Sequence, residues 1–355
     1  MTTSISPSLP MFDGHNDALL RLWLNGASDP AAAFVQGTPD GHLDLPRCLR
    51  GGFAGGLFAA FVPPPSYLAR HAPAQALPER SDDLPTPAES RAITLDQLAI
   101  LRRIEVVSGA RARLCRSVAD IRRCIAQGTI AMVMHLEGAD ALDTSLSLLE
   151  ELHTAGLRSL GPVWNRRNAF GTGIQGRFPE PPAAGAGLTP AGKRLIQRCL
   201  QLRIMVDVSH MDATGFWQTA ELGGAPLVAT YSNAYALCPQ PRNLTDAQLA
   251  AIRQSGGFVG VNFGTAFLRA DGKRTPDTGV DEIVRHIDYL LHKVGEDGVG
   301  LGSDFDGVNV PGEMADVAGL PLLAQALARQ GYDRALQEKI AYGNWLRVLE
   351  RTWKC

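Results

Sequence analysis

The sequence predicts a (β/α)8 barrel, on three observations. Eight short apolar runs bounded by Gly, Asp or Asn recur along the chain, and segments of helical period separate most of them. No GxGxxG follows the first run, where a dinucleotide-binding fold would carry it. Eight strands alternating with helices favour a closed barrel over an open sheet. All 355 residues, 45% hydrophobic and 20% charged, read as one catalytic domain with ample core.

In chain order, strands are expected at residues 10–14, 53–62, 130–137, 157–163, 204–209, 226–231, 258–263 and 299–304. Helical spacing falls at 145–154, 189–202, 245–255, 280–294, 320–330 and 335–352. Thr189 before Pro190, and Thr245 three residues before Gln248, are start signals for two of these helices. Two excursions interrupt the alternation. Residues 63–128 hold two or more helices and an exposed Pro-rich stretch with Arg80, Asp82 and Asp83. Residues 171–187 form a Gly/Pro-rich loop expected to cover part of the barrel mouth.

A net charge of −2 gives no reason to expect nucleic acid or an anionic membrane as partner. No apolar run approaches the ~20 residues of a membrane span. The start MTTSISPSLP lacks a secretory pattern, and ERTWKC lacks a lipid-anchor tail. Six cysteines without CxxC spacing read as reduced, mostly buried thiols; Cys355 is oxidisable but has no assigned role. The expected address is the cytoplasm, and the expected partner is a small-molecule substrate.

In a barrel the chemistry gathers where the strands end. Those positions carry His15 and Asp17 after the first strand, Glu137 at the end of the third, and Asp207 and His210 at the end of the fifth. Tyr231 ends the sixth, and Asp304 and Asp306 the eighth. His15 and Asp17 share a face because strand side chains alternate. Alone, that pair is weak evidence for a metal against a solvated loop. The whole set argues more strongly, because buried charge is costly unless paired or metal-bound. Imidazoles with carboxylates point to a divalent cation and to hydrolysis. His135, one layer below Glu137, reads as a hydrogen-bonded core histidine. His153, His286 and His292 read as packing residues on helices, and His42 and His71 receive no role. Asp207 has two readings, an orienter of a histidine ligand or a cap for local backbone. Arg242 also has two, a clamp for a carboxylate or a surface salt bridge.

The segments DGHND, HLEGAD, DVSHMD, SNAYALCPQPRNLTD and GLGSDFDG, in this order, resemble the membrane dipeptidase (renal dipeptidase-like) family of zinc peptidases. The resemblance runs from Phe12 to about Trp353. It implies a barrel with two zinc ions that hydrolyses dipeptides by metal-activated water; some relatives accept a C-terminal D-residue, and some hydrolyse β-lactam amides. Carried over, His15 and Asp17 hold the first zinc, Glu137 bridges, and His210 binds the second. Asp304 is the acid/base group, and Arg242 receives the substrate's C-terminal carboxylate. The enzyme is then a metallo-dipeptidase, with a homodimer as an assembly seen among relatives.

The chain departs from the family in two places. ATYSNA at residues 229–234 puts Tyr231 where relatives carry a second histidine ligand, and Trp164 stands where some carry a carbonyl-polarising histidine. Both are then placed at the substrate. Tyr231 has three outcomes: it coordinates as phenolate, it hydrogen-bonds a metal-held water, or it leaves the second zinc site weak. Alternatives to a dipeptidase are a related amidohydrolase on a lactam, lactone or acylamino acid, and a catalytically impaired metal-binding homologue.

Overall fold

The computed structural model describes residues 9–354; the first eight residues, which carry most of the expectation about a leader, and Cys355 lie outside them. Nine strands form: β1 (Met11–Asn16), β2 (Phe53–Phe61), β3 (Ala112–Leu114), β4 (Ile130–Glu137), β5 (Leu157–Gly161), β6 (Met205–Val206), β7 (Val228–Ala229), β8 (Phe258–Val261) and β9 (Val299–Leu301). All pair in parallel, in the order β6-β5-β4-β2-β1-β9-β8-β7. A parallel bridge between Asp207 and Val228 joins the two ends, so the eight expected strands make a nearly closed barrel. The ninth, β3, pairs with the first residues of β4 outside that ring. Three residues are too few for a period to register in the sequence.

β6 and β7 are shorter than their apolar runs, and Asp207 supplies the reason. Its carboxylate accepts hydrogen bonds from Ser209 N at 3.0 Å and Thr230 N at 2.9 Å, in place of strand partners. It also accepts from the hydroxyls of Ser209 and Thr230. Asp207 therefore caps local backbone; it does not touch His210.

The expected helices form at Ser147–Ala155, Pro190–Leu202, Asp246–Gln254, Asp281–Val294 and Leu320–Arg329. Thr189 accepts from Gly192 N, and Thr245 makes a reciprocal capping box with Gln248. Three short helices between β1 and β2 (Ala18–Leu24, Pro30–Gln36, Leu45–Gly51) carry too few turns for the spacing to reveal them. Residues 63–128 contain the helices Pro65–His71, Pro87–Val107 and Val118–Gln127 besides β3.

The helix expected at 335–352 is broken into Arg334–Glu338, a π-helical turn at Lys339–Gly343, and Asn344–Trp353. The break lets Asn344 donate to the carbonyls of Glu296 and Val299. Trp345 then plugs the barrel floor, donating to Leu301 O at 2.8 Å and packing on Phe258. Among the described residues no helix is long and apolar enough to cross a membrane.

Candidate active site

The site is built on a seam between β1 and β9. Asp13 is buried in the seam and accepts from Ser303 N and Oγ at 2.6 and 2.8 Å; burial lifts its carboxyl to about 6. Above it, Asp304 N donates to His15 O at 3.0 Å and Asp17 N to Phe305 O at 2.8 Å. Asp304 and Asp306 both adopt left-handed backbone, with φ of +62° and +70°. Such strain costs roughly 1–2 kcal/mol per residue and persists only where the surroundings impose it. It sends the two carboxylates to different tasks. Asp304 lines the mouth and accepts from Asn262 Nδ2 at 2.8 Å. Asp306 pairs with Arg21 Nε at 3.0 Å and accepts from His42 N, so it is occupied by structural partners.

His15 is approached by three carboxylates, those of Asp17, Glu137 and Asp304. His15 Nε2 lies 3.8 Å from Asp17 Oδ2 and 3.7 Å from Glu137 Oε2. One ligand atom from each of His15, Asp17 and Asp304 falls within 4.8 Å of the others. Both ring nitrogens of His15 and Oδ1 of Asp17 are buried without a hydrogen-bond partner. Buried polar atoms are normally satisfied, so these orphans require an explanation. The spread suits atoms that each lie about 2.0–2.2 Å from a shared cation.

Electrostatics agree. Burial works to depress the His15 imidazole, yet Glu137, Asp17 and Asp304 together push it up to about 10. Burial raises Asp304 to about 7 and Asp17 to about 6. It works the same way on Glu137, but His15 and His210 outweigh it and hold the carboxyl near 2. Three carboxylates around one imidazole leave an excess of negative charge that a divalent cation would neutralise. These residues fit a metal ion.

On the other side of Glu137 the bonding is complete. Glu137 Oε1 lies 3.0 Å from His210 Nε2, and the Tyr231 hydroxyl hydrogen-bonds to both atoms. His210 Nδ1 meets Asn165 Oδ1 at 2.7 Å, which makes Nδ1 the protonated nitrogen. Burial and the neighbouring Arg242 hold His210 down to about 4, hence neutral. Burial, reinforced by Glu137, pushes the Tyr231 phenol well above its ordinary value.

Arg242 is buried, which removes the surface salt-bridge reading. It donates to Ser232 Oγ at 3.0 Å and Tyr231 O at 3.2 Å, and its Nη2 lies 3.1 Å from His210 Nε2. Its guanidinium sits over the Tyr231 ring, 4.6 Å from the centroid. Trp164, half-buried, packs on Phe61 and faces His210 at 6.2 Å between centroids.

His15 is fully buried, while Asp17, Glu137, Trp164, His210, Tyr231, Arg242 and Asp304 line a cavity of about 710 Å³, room for a small peptide. Its outer wall comes from Tyr67 and Arg70 of the first excursion. Residues 171–187, expected to cover the mouth, contribute nothing to its lining. That loop is fastened beside β6 by Ile174 N to His210 O at 2.7 Å and Gly187 N to Asp212 Oδ2 at 2.9 Å.

Sequence reasoning missed Asn262, Asn165 and His42. Asn262 and Asn165 closely follow the β8 and β5 runs, so the strand-end rule could have found them. His42 lies in a loop with no local signal, and only the fold brings its Nδ1 within 2.9 Å of Asp306 N. His135 is the core histidine expected, bonded to Ser159 Oγ at 2.8 Å.

A nearly closed barrel with a metal-fitting carboxylate and imidazole cluster at its mouth defines a metal-dependent hydrolase. The chain belongs to the membrane dipeptidase family (Peptidase family M19), whose model matches residues 2–354, and it is a metallo-dipeptidase. It is 54% identical over 268 residues to an uncharacterized protein in the pqqA 5′ region of Klebsiella pneumoniae, covering 76% of this chain and 99% of that one. A metallopeptidase from Rhodobacter sphaeroides, liganded with a phosphinate mimic of the dipeptide L-Ala-D-Ala, is 47% identical with a TM-score of 0.91. That match covers 98% of this chain and 100% of the other. A further structure, dipeptidase AC, is 46% identical with the same TM-score and coverage.

Proposed function

We propose that this chain is a zinc-dependent dipeptidase acting on dipeptides with a free C-terminal carboxylate, those ending in a D-residue included. The observation that carries this reading is the pairing, at one cavity, of Glu137 and the unsatisfied His15 and Asp17 with the buried guanidinium of Arg242. The Rhodobacter sphaeroides relative, with its L-Ala-D-Ala mimic, supports the substrate class.

His15, Asp17 and Glu137 would hold the zinc ion. Bound there, zinc would lower the pKa of water and polarise the scissile carbonyl. The remaining work belongs to side chains. Arg242 takes the substrate carboxylate, and a fixed fork of donors orients it. Arg242 neighbours His210, which neighbours Glu137, so a carboxylate held by Arg242 would lie near the cluster. Asp304, anchored through one oxygen by Asn262, keeps the other for the cavity and passes a proton to the departing amine. Trp164 and Tyr67 flank the substrate side chains and reduce its exposure to water.

The test is to purify the chain with zinc and offer LL and LD dipeptides beside their C-terminal amides. Turnover of the free acids above a Glu137→Ala control is expected. Equal rates for enzyme and control would reject the peptidase mechanism.

A further inference from the structure

The resemblance implies two zinc ions, one on each side of Glu137, but the two sides of this carboxylate differ. On the His15 side, both imidazole nitrogens and Asp17 Oδ1 lack partners. On the His210 side nothing is left over: Glu137 Oε1 and His210 Nε2 share the Tyr231 hydroxyl, and His210 Nδ1 has Asn165. We propose that this protein binds one metal ion per chain, at His15, Asp17 and Glu137, and that the Tyr231 hydroxyl stands where a second ion would have to bind. The proposal rests on the metallo-dipeptidase reading above, since it concerns the metal of that same centre.

Three further contacts hold the phenol in place. Its ring stacks on His15 with centroids 3.7 Å apart and planes 11° from parallel. The side chain is 2% exposed, so the hydroxyl has no free rotamer toward solvent. Arg242 also lies over the ring, 4.6 Å from its centroid, and places a guanidinium nitrogen 3.1 Å from His210 Nε2. A cation between Glu137 and His210 would therefore meet both the phenol hydroxyl and the positive charge of Arg242. Zinc prefers ligands at about 2.0–2.2 Å, and atoms already bridged by a hydrogen-bonded oxygen cannot close on it without expelling that oxygen. Tyr231 thus joins the metal side of the cavity, through His15, to the carboxylate-binding side, through Arg242.

The experiment is a zinc count on the full chain, stripped with chelator, reloaded with excess zinc and desalted. One equivalent per chain is expected for the wild type and for Tyr231→Phe, which removes the hydroxyl but supplies no ligand. Tyr231→His is expected to rise to two. In parallel, zinc is titrated into the stripped wild type while the tyrosinate difference absorbance is followed. No tyrosinate signal is expected. Two tight equivalents in the wild type, or a tyrosinate signal that grows with the zinc added, would overturn the proposal. Dipeptide hydrolysis is assayed on the same samples. One equivalent without turnover overturns the dipeptidase mechanism and leaves the metal count standing; two with turnover does the reverse.

Discussion

Tyr231 lies face to face on His15, with ring centroids 3.7 Å apart and an interplanar angle of 11°. Two side chains from opposite parts of the barrel thereby share one plane of contact at the metal-fitting cluster. The phenol's hydroxyl donates to Glu137 and touches His210, while its ring restrains the imidazole of His15. Tyr231→Phe keeps the stack but strips the bridge, leaving the buried Glu137 Oε1 short of a donor, while His210 Nε2 keeps Arg242 Nη2. Leaving a buried polar group unsatisfied costs about 1–3 kcal/mol. The metal-free variant should be less stable by that amount in urea unfolding, with an unchanged m-value.

Arg242 is expected to read the substrate's carboxylate. Removing one partner of a buried charge pair costs about 2–5 kcal/mol. Arg242→Ala should lower kcat/KM for free dipeptides by roughly 10²- to 10³-fold, at 1.4 kcal/mol per tenfold. Dipeptide amides, which lack that carboxylate, should lose far less. Equal losses on both substrates would show that the guanidinium serves the fold and not the ligand.

Asp304 is expected to move a proton. General acid–base groups contribute about 10²- to 10⁴-fold. Asp304→Asn should reduce kcat within that range while zinc content stays at the wild-type level. Loss of zinc in this variant would make Asp304 a ligand instead, as its closeness to His15 and Asp17 permits.

Gly307 lies against the metal-fitting cluster. A methyl group at this position would land on the carboxylate oxygens of Asp17 and Asp304, and both would have to shift. Gly307→Ala should weaken zinc binding by about 10- to 100-fold, the range seen when support of metal ligands is disturbed. The residue is exposed, so thermal stability of the metal-free protein should change little. Competition with a chelating dye measures the first effect and calorimetry the second.

His286 sets a pH limit away from the metal. Its Nδ1 accepts from Ala234 N at 3.2 Å, and its Nε2 faces Leu268 O at 2.9 Å. The neutral ring fits both contacts; a second proton would face an N–H. Burial holds this imidazole down to about 4. A folded pKa below the ordinary 6.5 contributes stability that is present above pH 6.5 and lost as pH falls toward 4. The contribution is up to about 3 kcal/mol at 1.36 kcal/mol per pKa unit. His286→Gln, which keeps a donor and an acceptor but does not titrate, should show a flatter decline in denaturant midpoint between pH 6.5 and 4.5.

The strands were legible because each is a local pattern, a short apolar run closed by Gly, Asp or Asn. The strand-end rule also placed His15, Asp17, Glu137, His210, Tyr231 and Asp304 at one mouth, and all of them but the buried His15 line one cavity. It could not separate Asp304 from Asp306. Both follow β9 and both line the cavity, and only the tertiary structure sets Asp304 beside His15 and Asp17 and pairs Asp306 with Arg21. Nor could it assign Asp207, whose partners Ser209 and Thr230 follow two neighbouring strands, β6 and β7.

From its residues alone this chain determines a parallel barrel, the rim that carries its polar groups, and a resemblance to metal-dependent dipeptidases. Which rim groups lack partners, and which already have them, was decided only when the barrel closed. Strand pattern is a property of neighbours two residues apart. The contest for Glu137 between His15 and the pair Tyr231–His210 is instead fought by side chains brought together from the ends of four separate strands.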